Sequence, residues 1–255
     1  MIKNFVANGC SFTEYSNHPE QIIKTWATYL AEELAVDNHV NLASSGAGND
    51  YICHSTINYL EAAELDPKET LVIVMWSSPS RIDVPMGRDW YEHIKFNEYS
   101  CCKTDQTSYW ISSGGTGGGW QDKSISRSIF NNLYKIIDLQ GLFMNSLRNF
   151  ILLESYLKQR GYKFLFTSFI NYWNTQEKNY VLHRGEYNLG YFCKHRPIFK
   201  NFDFSNWFFV NDNRDTICEF SWDPVLSKGD LHPRDEMHQR FAREIALPRV
   251  QQIHV

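Results

Sequence analysis

Residues 70 to 76 read TLVIVMW, an unbroken apolar run bounded by Glu69 and Ser77. A run of that length without polar alternation is buried on both faces, which is the environment of a central strand in a parallel sheet. Parallel neighbours require crossover connections, and the chain upstream supplies them. Residues 2 to 8 read as a first strand, too short for a signal peptide or a membrane span and lacking a small-residue cleavage site. Residues 20 to 34 carry apolar side chains at helical spacing behind a start at His18-Pro19. HVNLA forms a second strand, and residues 50 to 65 a second helix stopped by Asp66-Pro67. The first 76 residues therefore read βαβαβ.

Beyond Trp76 the pattern breaks, with an insertion at about residues 82–128 expected to lie over the functional site. A long helix is expected from near Ile129 to Gln159, ended by Gly161 and followed by a fourth strand, KFLFTSF. NWFFV reads as a short fifth strand, the rest of residues 171–228 as surface loops, and Pro233 to Ile245 as a closing helix. The expected architecture is α/β: one domain over residues 1–255, a three-layer α/β/α sandwich with a mainly parallel, flavodoxin-like sheet. Such sheets place their sites at the carboxyl ends of the strands.

Composition narrows the function. With 43% hydrophobic and 21% charged residues the chain is an ordinary globular one. A net charge of −4 without a basic stripe argues against nucleic acid as a partner, and no membrane segment is visible. The six cysteines lack CxxC spacing, which points to free thiols in a reducing, cytoplasmic compartment and to no zinc framework. The aromatic content of 15% is read as a large core rather than a sugar-stacking surface.

Four polar segments fall where chemistry is expected: Gly9-Cys10-Ser11 after the first strand, Asn41 to Asp50 after the second, Ser77 to Arg81 after the third, and Asp230-Leu231-His232-Pro233 near the end. A serine at the top of a strand presents its backbone N–H to an oxyanion, and a histidine from the last loop can take its proton. Cys10 is the rival nucleophile, expected instead to pack under the turn. Asn49 either caps the second helix or serves as an oxyanion donor, and Arg81 either salt-bridges at the surface or binds an anionic substrate group. His238 lies six residues after His232 with Asp230 and Asp235 nearby, but no metal is expected because the two histidines fall on different helix faces. SSGGTGGGW, residues 112 to 120, lacks the Lys-Ser/Thr of a phosphate loop and reads as a mobile loop or lid.

These segments resemble the motif blocks of the SGNH (GDSL-like) hydrolase superfamily. Gly9-Cys10-Ser11-Phe12-Thr13 is similar to its Gly-Asp-Ser-x-Thr block, with cysteine in the aspartate's place. Asn41 and Gly46 match the second block, an Asn followed five residues later by a Gly. GDLHPRDEMHQRFA is similar to the Asp-x-x-His-Pro block, with Asp230 one residue closer to His232 than the commonest spacing. The third block, Gly-x-Asn-Asp, falls on Met75-Trp76-Ser77-Ser78, so Ser77 replaces the oxyanion asparagine. WSSPSR also resembles the Trp-Ser/Thr-Ser and following Arg of divergent bacteriophage-encoded members.

The resemblance implies Ser11 as nucleophile, His232 as base, Asp230 as the group fixing its tautomer, and the Ser11 and Gly46 N–H groups with the Ser77 hydroxyl as oxyanion donors. It implies an esterase that needs no cofactor and acts on a small-molecule or carbohydrate ester, an O-acyl group on a carbohydrate above all. The alternative is a protein that keeps the fold without turnover, as a binding or virion-associated structural module.

Overall fold

The computed structural model describes residues 1–14, 16–18, 21–97, 102–105, 108–116, 125–171, 173, 180–182, 185–187, 202–220 and 232–253. Its strands are β1 (Asn4–Asn8), β2 (Ser16–His18), β3 (Gln21–Ile23), β4 (Asn38–Asn41), β5 (Thr70–Trp76), β6 (Asp83–Met86), β7 (Cys102–Thr104), β8 (Tyr109–Ser112), β9 (Lys163–Ser168), β10 (Tyr180–Leu182) and β11 (Gly185–Tyr187). Its helices are α1 (Trp26–Leu34), α2 (Asn49–Ala62), α3 (Arg88–Asn97), α4 (Ile125–Ile136), α5 (Leu139–Arg160), α6 (Ile217–Phe220), α7 (Asp235–Arg240) and α8 (Leu247–Gln252). A π-helical stretch, Phe241–Ala246, joins the last two.

The fold is α/β, a four-stranded sheet flanked by helices. Its order is β4-β1-β5-β9 and every pair is parallel. Because β5 has a parallel neighbour on each side, all seven of its residues are buried, as the TLVIVMW run demands. Winding reverses between β1 and β5, so the turns leaving those two strands share a crevice at the carboxyl edge. On one face α2 is tied to β1 through the Asn8 side chain, and Phe150 of α5 packs on Trp76 at 4.5 Å between ring centroids. The second helical group joins α1 to α7, through a Tyr29–Asp235 hydrogen bond. Trp76, Phe150, Phe166, Trp173 and Trp207 form one aromatic cluster in the core, in keeping with the core reading of the aromatic content.

Several boundaries differ from the periodicity. The helix expected from residue 20 begins at Trp26, after a short hairpin of β2 and β3. The Lys24 and Trp26 N–H groups are taken by Asp235 and His238 across the molecule, so the backbone there does not need a helix to satisfy it. The single helix expected from Ile129 to Gln159 is two, α4 and α5, broken at Asp138, whose side chain caps α5 by accepting from the Gly141 N–H at 2.6 Å. Gly161 does end α5, in the left-handed conformation at φ 79°. NWFFV contributes one parallel bridge, Phe166 to Trp207, rather than a full fifth strand.

The inserted region carries an antiparallel sheet of order β6-β8-β7 over its own apolar cluster of Ile82, Ile94, Ile111, Phe130 and Leu142. The start of the Gly-rich stretch is anchored there: Ser112 donates to Asp83, and the Ser113 hydroxyl accepts from the Ile82 N–H. The mobile-loop or lid expectation for the stretch falls in part on residues 117–120, which lie outside the described ones. Among the described residues no helix is long and apolar enough to cross a membrane.

Removing the cap tests the break in the helix. Asp138→Ala is expected to cost about 1 kcal/mol of stability, read as a lower urea midpoint at unchanged m-value. No change in midpoint would mean that packing alone terminates α4.

Candidate active site

The turn after β1 is built around a buried amide. Asn8 is fully enclosed; its Oδ1 accepts from the Gly9 N–H at 2.7 Å, and its Nδ2 lies 2.8 to 3.0 Å from three acceptors on α2, Ile52 O, Ser55 Oγ and Thr56 Oγ1. Residue 9 has no room for a side chain, since a Cβ would stand 2.4 Å from Thr13 Oγ1 and 2.9 Å from Met75 O. The chain then coils, with the Thr13 and Glu14 N–H groups both donating to Cys10 O. Cys10 turns into the core with no exposed surface, as the packing expectation required. Ser11 turns outward, and its Oγ lies 2.6 Å from Nε2 of His232, 221 residues away in sequence.

His232 precedes α7, and three contacts fix that segment against α1. Asp235 accepts from the Lys24 N–H at 2.9 Å and from the Tyr29 hydroxyl at 2.6 Å, and His238 Nδ1 accepts from the Trp26 N–H at 3.3 Å. Burial, with Asp235 as the hydrogen-bond partner, raises the Tyr29 phenol well above its ordinary range, so it remains a donor. The His232 ring stacks on Phe12 at 4.6 Å and 24°, and Phe12 stacks on Phe169 at 4.7 Å. The residues that orient the imidazole plane therefore include Phe12, which carries no sequence signal beyond its place beside Ser11. Asp230 lies outside the described residues.

His238 is wholly buried, and desolvation, reinforced by the neighbouring His232, lowers its pKa to about 3. It is a neutral hydrogen-bond acceptor for the backbone. Among the described residues no group of three His, Cys, Asp or Glu side chains is placed to hold a metal.

The second and third turns meet the first. Ser44 N donates to Gly9 O at 3.2 Å, and Ala47 N closes a tight turn on Ser44 O at 3.0 Å with Gly46 at φ 79°, a conformation that favours glycine. Ser77 is fully buried; its N–H donates to Asn49 Oδ1 at 2.8 Å, and its carbonyl accepts from Asn49 Nδ2 at 3.2 Å. The second Nδ2 proton goes to Ser146 Oγ at 3.0 Å. Both expectations for Asn49 are thus corrected: its amide neither caps α2 nor has a proton left for an oxyanion, because it clamps β5 to α2 and α5. The N-cap is Gly48, and two N–H groups of that helix end go to Asp83, whose two carboxylate oxygens accept from Gly48 N and Tyr51 N at 2.9 Å each. Desolvation raises the pKa of the buried Asp83 carboxyl. No sequence pattern marked that residue.

Arg81 is half-buried and reaches back over the third turn. Its Nη1 donates to Ser77 Oγ at 2.8 Å and to Ala47 O at 3.0 Å, while the guanidinium lies 5.4 Å from the Phe169 ring centre. The surface salt-bridge expectation is corrected, since among the described residues no carboxylate is within ion-pair distance of it. Ser11, His232, Gly46, Ser77 and Arg81 thus belong to interlocking turns at one sheet edge. No protein-family model matches the chain, and no curated protein matches it.

His238 makes stability depend on pH. Its folded pKa of about 3 lies below the ordinary 6.5, so between those values the unfolded chain binds a proton that the folded one refuses. Stability is expected to fall as pH drops through that window, by up to about 1.4 kcal/mol per unit from this group. His238→Asn keeps an acceptor for Trp26 and is expected to flatten the slope in urea titrations from pH 6.5 to 4. The Asp83 carboxyl acts in the opposite sense and is common to both proteins, so it cancels in the difference. Superimposable slopes would refute the assignment.

Proposed function

We propose that the protein is a serine hydrolase of the SGNH type, cleaving an ester through an acyl-enzyme, with an O-acyl group on a carbohydrate as the substrate class. The observation that carries this reading is the 2.6 Å contact between Ser11 Oγ and His232 Nε2. A serine hydroxyl attacks only when a base is within reach of its proton, directly or through one water. The sheet order, in which the strands in sequence run second, first, third and fourth, supports a doubly wound three-layer fold of the flavodoxin-like kind.

In this reading His232 Nε2 takes the Ser11 proton as Oγ bonds to the ester carbonyl carbon. The carbonyl oxygen becomes an oxyanion facing the Ser11 and Gly46 N–H groups. Collapse breaks the ester bond, and the alcohol leaves with the proton held by His232. Water, deprotonated by the same imidazole, then releases the acid and regenerates Ser11. Nε2 accepts only in the tautomer that carries its proton on Nδ1, and Asp230 is the residue that the family resemblance pairs with that proton.

One observation favours the second reading, a binding module without turnover. Ser77 stands where the family has asparagine, and its hydroxyl, whose oxygen accepts from Arg81, is wholly enclosed. Loss of one oxyanion donor costs about 10²- to 10³-fold in rate.

A fluorophosphonate separates the two, since it requires an activated serine. The esterase reading expects one adduct by intact mass, abolished together with p-nitrophenyl ester turnover in Ser11→Ala and retained in Cys10→Ser. Absence of both labelling and turnover in the folded protein would leave the binding module. Phe12 is a positioning residue within the same reading. Phe12→Ala is expected to lower kcat by as much as about 10²-fold with KM little changed, and Phe12→Tyr to restore most of it. An equal loss in both variants would remove ring stacking as the cause.

A further inference from the structure

The guanidinium of Arg81 has five N–H donors, and among the described residues both of its hydrogen bonds leave from Nη1. The Nε and Nη2 edge, the one whose two parallel N–H groups match a carboxylate, has no acceptor among the described residues. The side chain is nevertheless held in place by Ala47, Ser77 and the Phe169 ring. The Gly114 backbone packs closely against the same side chain and leaves no room for a Cβ, which would lie 2.8 Å from Arg81 Nε and 2.2 Å from Gly46 O. The same contacts put Nε beside the Gly46 turn, to which the esterase reading gives an oxyanion donor.

Arg81 also lines a cavity of about 490 Å³, whose remaining walls include the apolar side chains Ile82, Pro85, Trp110, Ile137 and Leu142. That volume suits a small organic ligand. Two carboxylates border the cavity without neutralising Arg81. Asp50 accepts from Asn145 and Asn149, and Asp83 from Gly48, Tyr51 and Ser112.

We propose that Arg81 and this cavity form the acyl subsite, taking an acyl group whose apolar chain or ring ends in a carboxylate bound by the Nε–Nη2 edge. As an assignment of substrate class it rests on the esterase reading of Ser11 and His232. As an assignment of a carboxylate site it does not.

The binding test uses the full chain carrying Ser11→Ala and calorimetric titration with 4-phenylbutyrate and with its neutral amide, 4-phenylbutyramide. The carboxylate is expected to bind at least about tenfold more tightly. Arg81→Gln is expected to erase that ratio while the amide affinity is kept, and Arg81→Lys to retain part of it, since a point charge replaces the fork. Equal affinities, binding of neither probe, or a ratio that survives Arg81→Gln would each overturn the proposal. In the wild-type chain, p-nitrophenyl hemiglutarate is expected to exceed p-nitrophenyl butyrate in kcat/KM by about tenfold, with the preference lost in Arg81→Gln. Turnover without that preference overturns the acyl subsite and leaves the esterase reading standing. Carboxylate binding without turnover of any ester overturns the esterase reading and leaves the site.

Discussion

The amide of Asn8 holds the functional end of the sheet together. It sits at the last position of an inner strand, where a buried polar group without partners costs about 1–3 kcal/mol. The protein meets that demand by turning Nδ2 into α2 and Oδ1 back to Gly9. One side chain thereby ties the strand, the helix on its face and the turn that leads to Ser11. The same device recurs one strand over, where Asn49 grips the Ser77 backbone from α2, and again at Asp83, which supplies the acceptors missing at the start of that helix. Turns that would otherwise sample many conformations are each braced by a buried hydrogen-bonding side chain from another element.

Bringing His232 to Ser11 closes a loop of more than two hundred residues, and a single hydrogen bond does not offset that entropy. The closure is sustained by the packing of α1 on the C-terminal helices. Trp26 and Phe241 meet edge to face in the core, and Asp235 and His238 satisfy backbone donors ahead of α1. Through these contacts the imidazole arrives on a rigid support. Its plane is then set by a ladder of rings, Phe12 and Phe169, that ends in the Arg81 guanidinium. Side chains locked by their packing are what a reacting constellation needs, because small displacements are costly in rate.

The electrostatics at this edge are asymmetric. Both acids that border the cavity accept hydrogen bonds on each carboxylate oxygen, and the cation keeps its carboxylate-binding edge unpaired among the described residues. Arg81 reaches back over the third turn and donates to the Ala47 carbonyl and the Ser77 hydroxyl. Burial raises the Cys53 thiol to about 12 and the Cys218 thiol well above its ordinary value, which makes both poor nucleophiles.

What the sequence determined by itself is whatever depends on local pattern. The unbroken run TLVIVMW required a doubly flanked strand, the alternation before it required crossovers, and Gly161 ended α5, since each of these follows from hydrophobic periodicity or backbone sterics within a few residues. Ser11 and His232 were legible as a pair through the motif blocks they resemble, together with the rule that such sheets gather their turns at one edge. What only the tertiary structure decided is where buried donors and acceptors find each other. Trp26 begins α1 because His238, 212 residues away, takes its N–H. Asn49 clamps a neighbouring strand instead of capping its own helix, Asp83 becomes a helix cap from another sheet, and Arg81 meets a serine and a carbonyl rather than a carboxylate. Hydrogen bonds act over about 3 Å in space and are indifferent to separation along the chain, so no local window of sequence contains them.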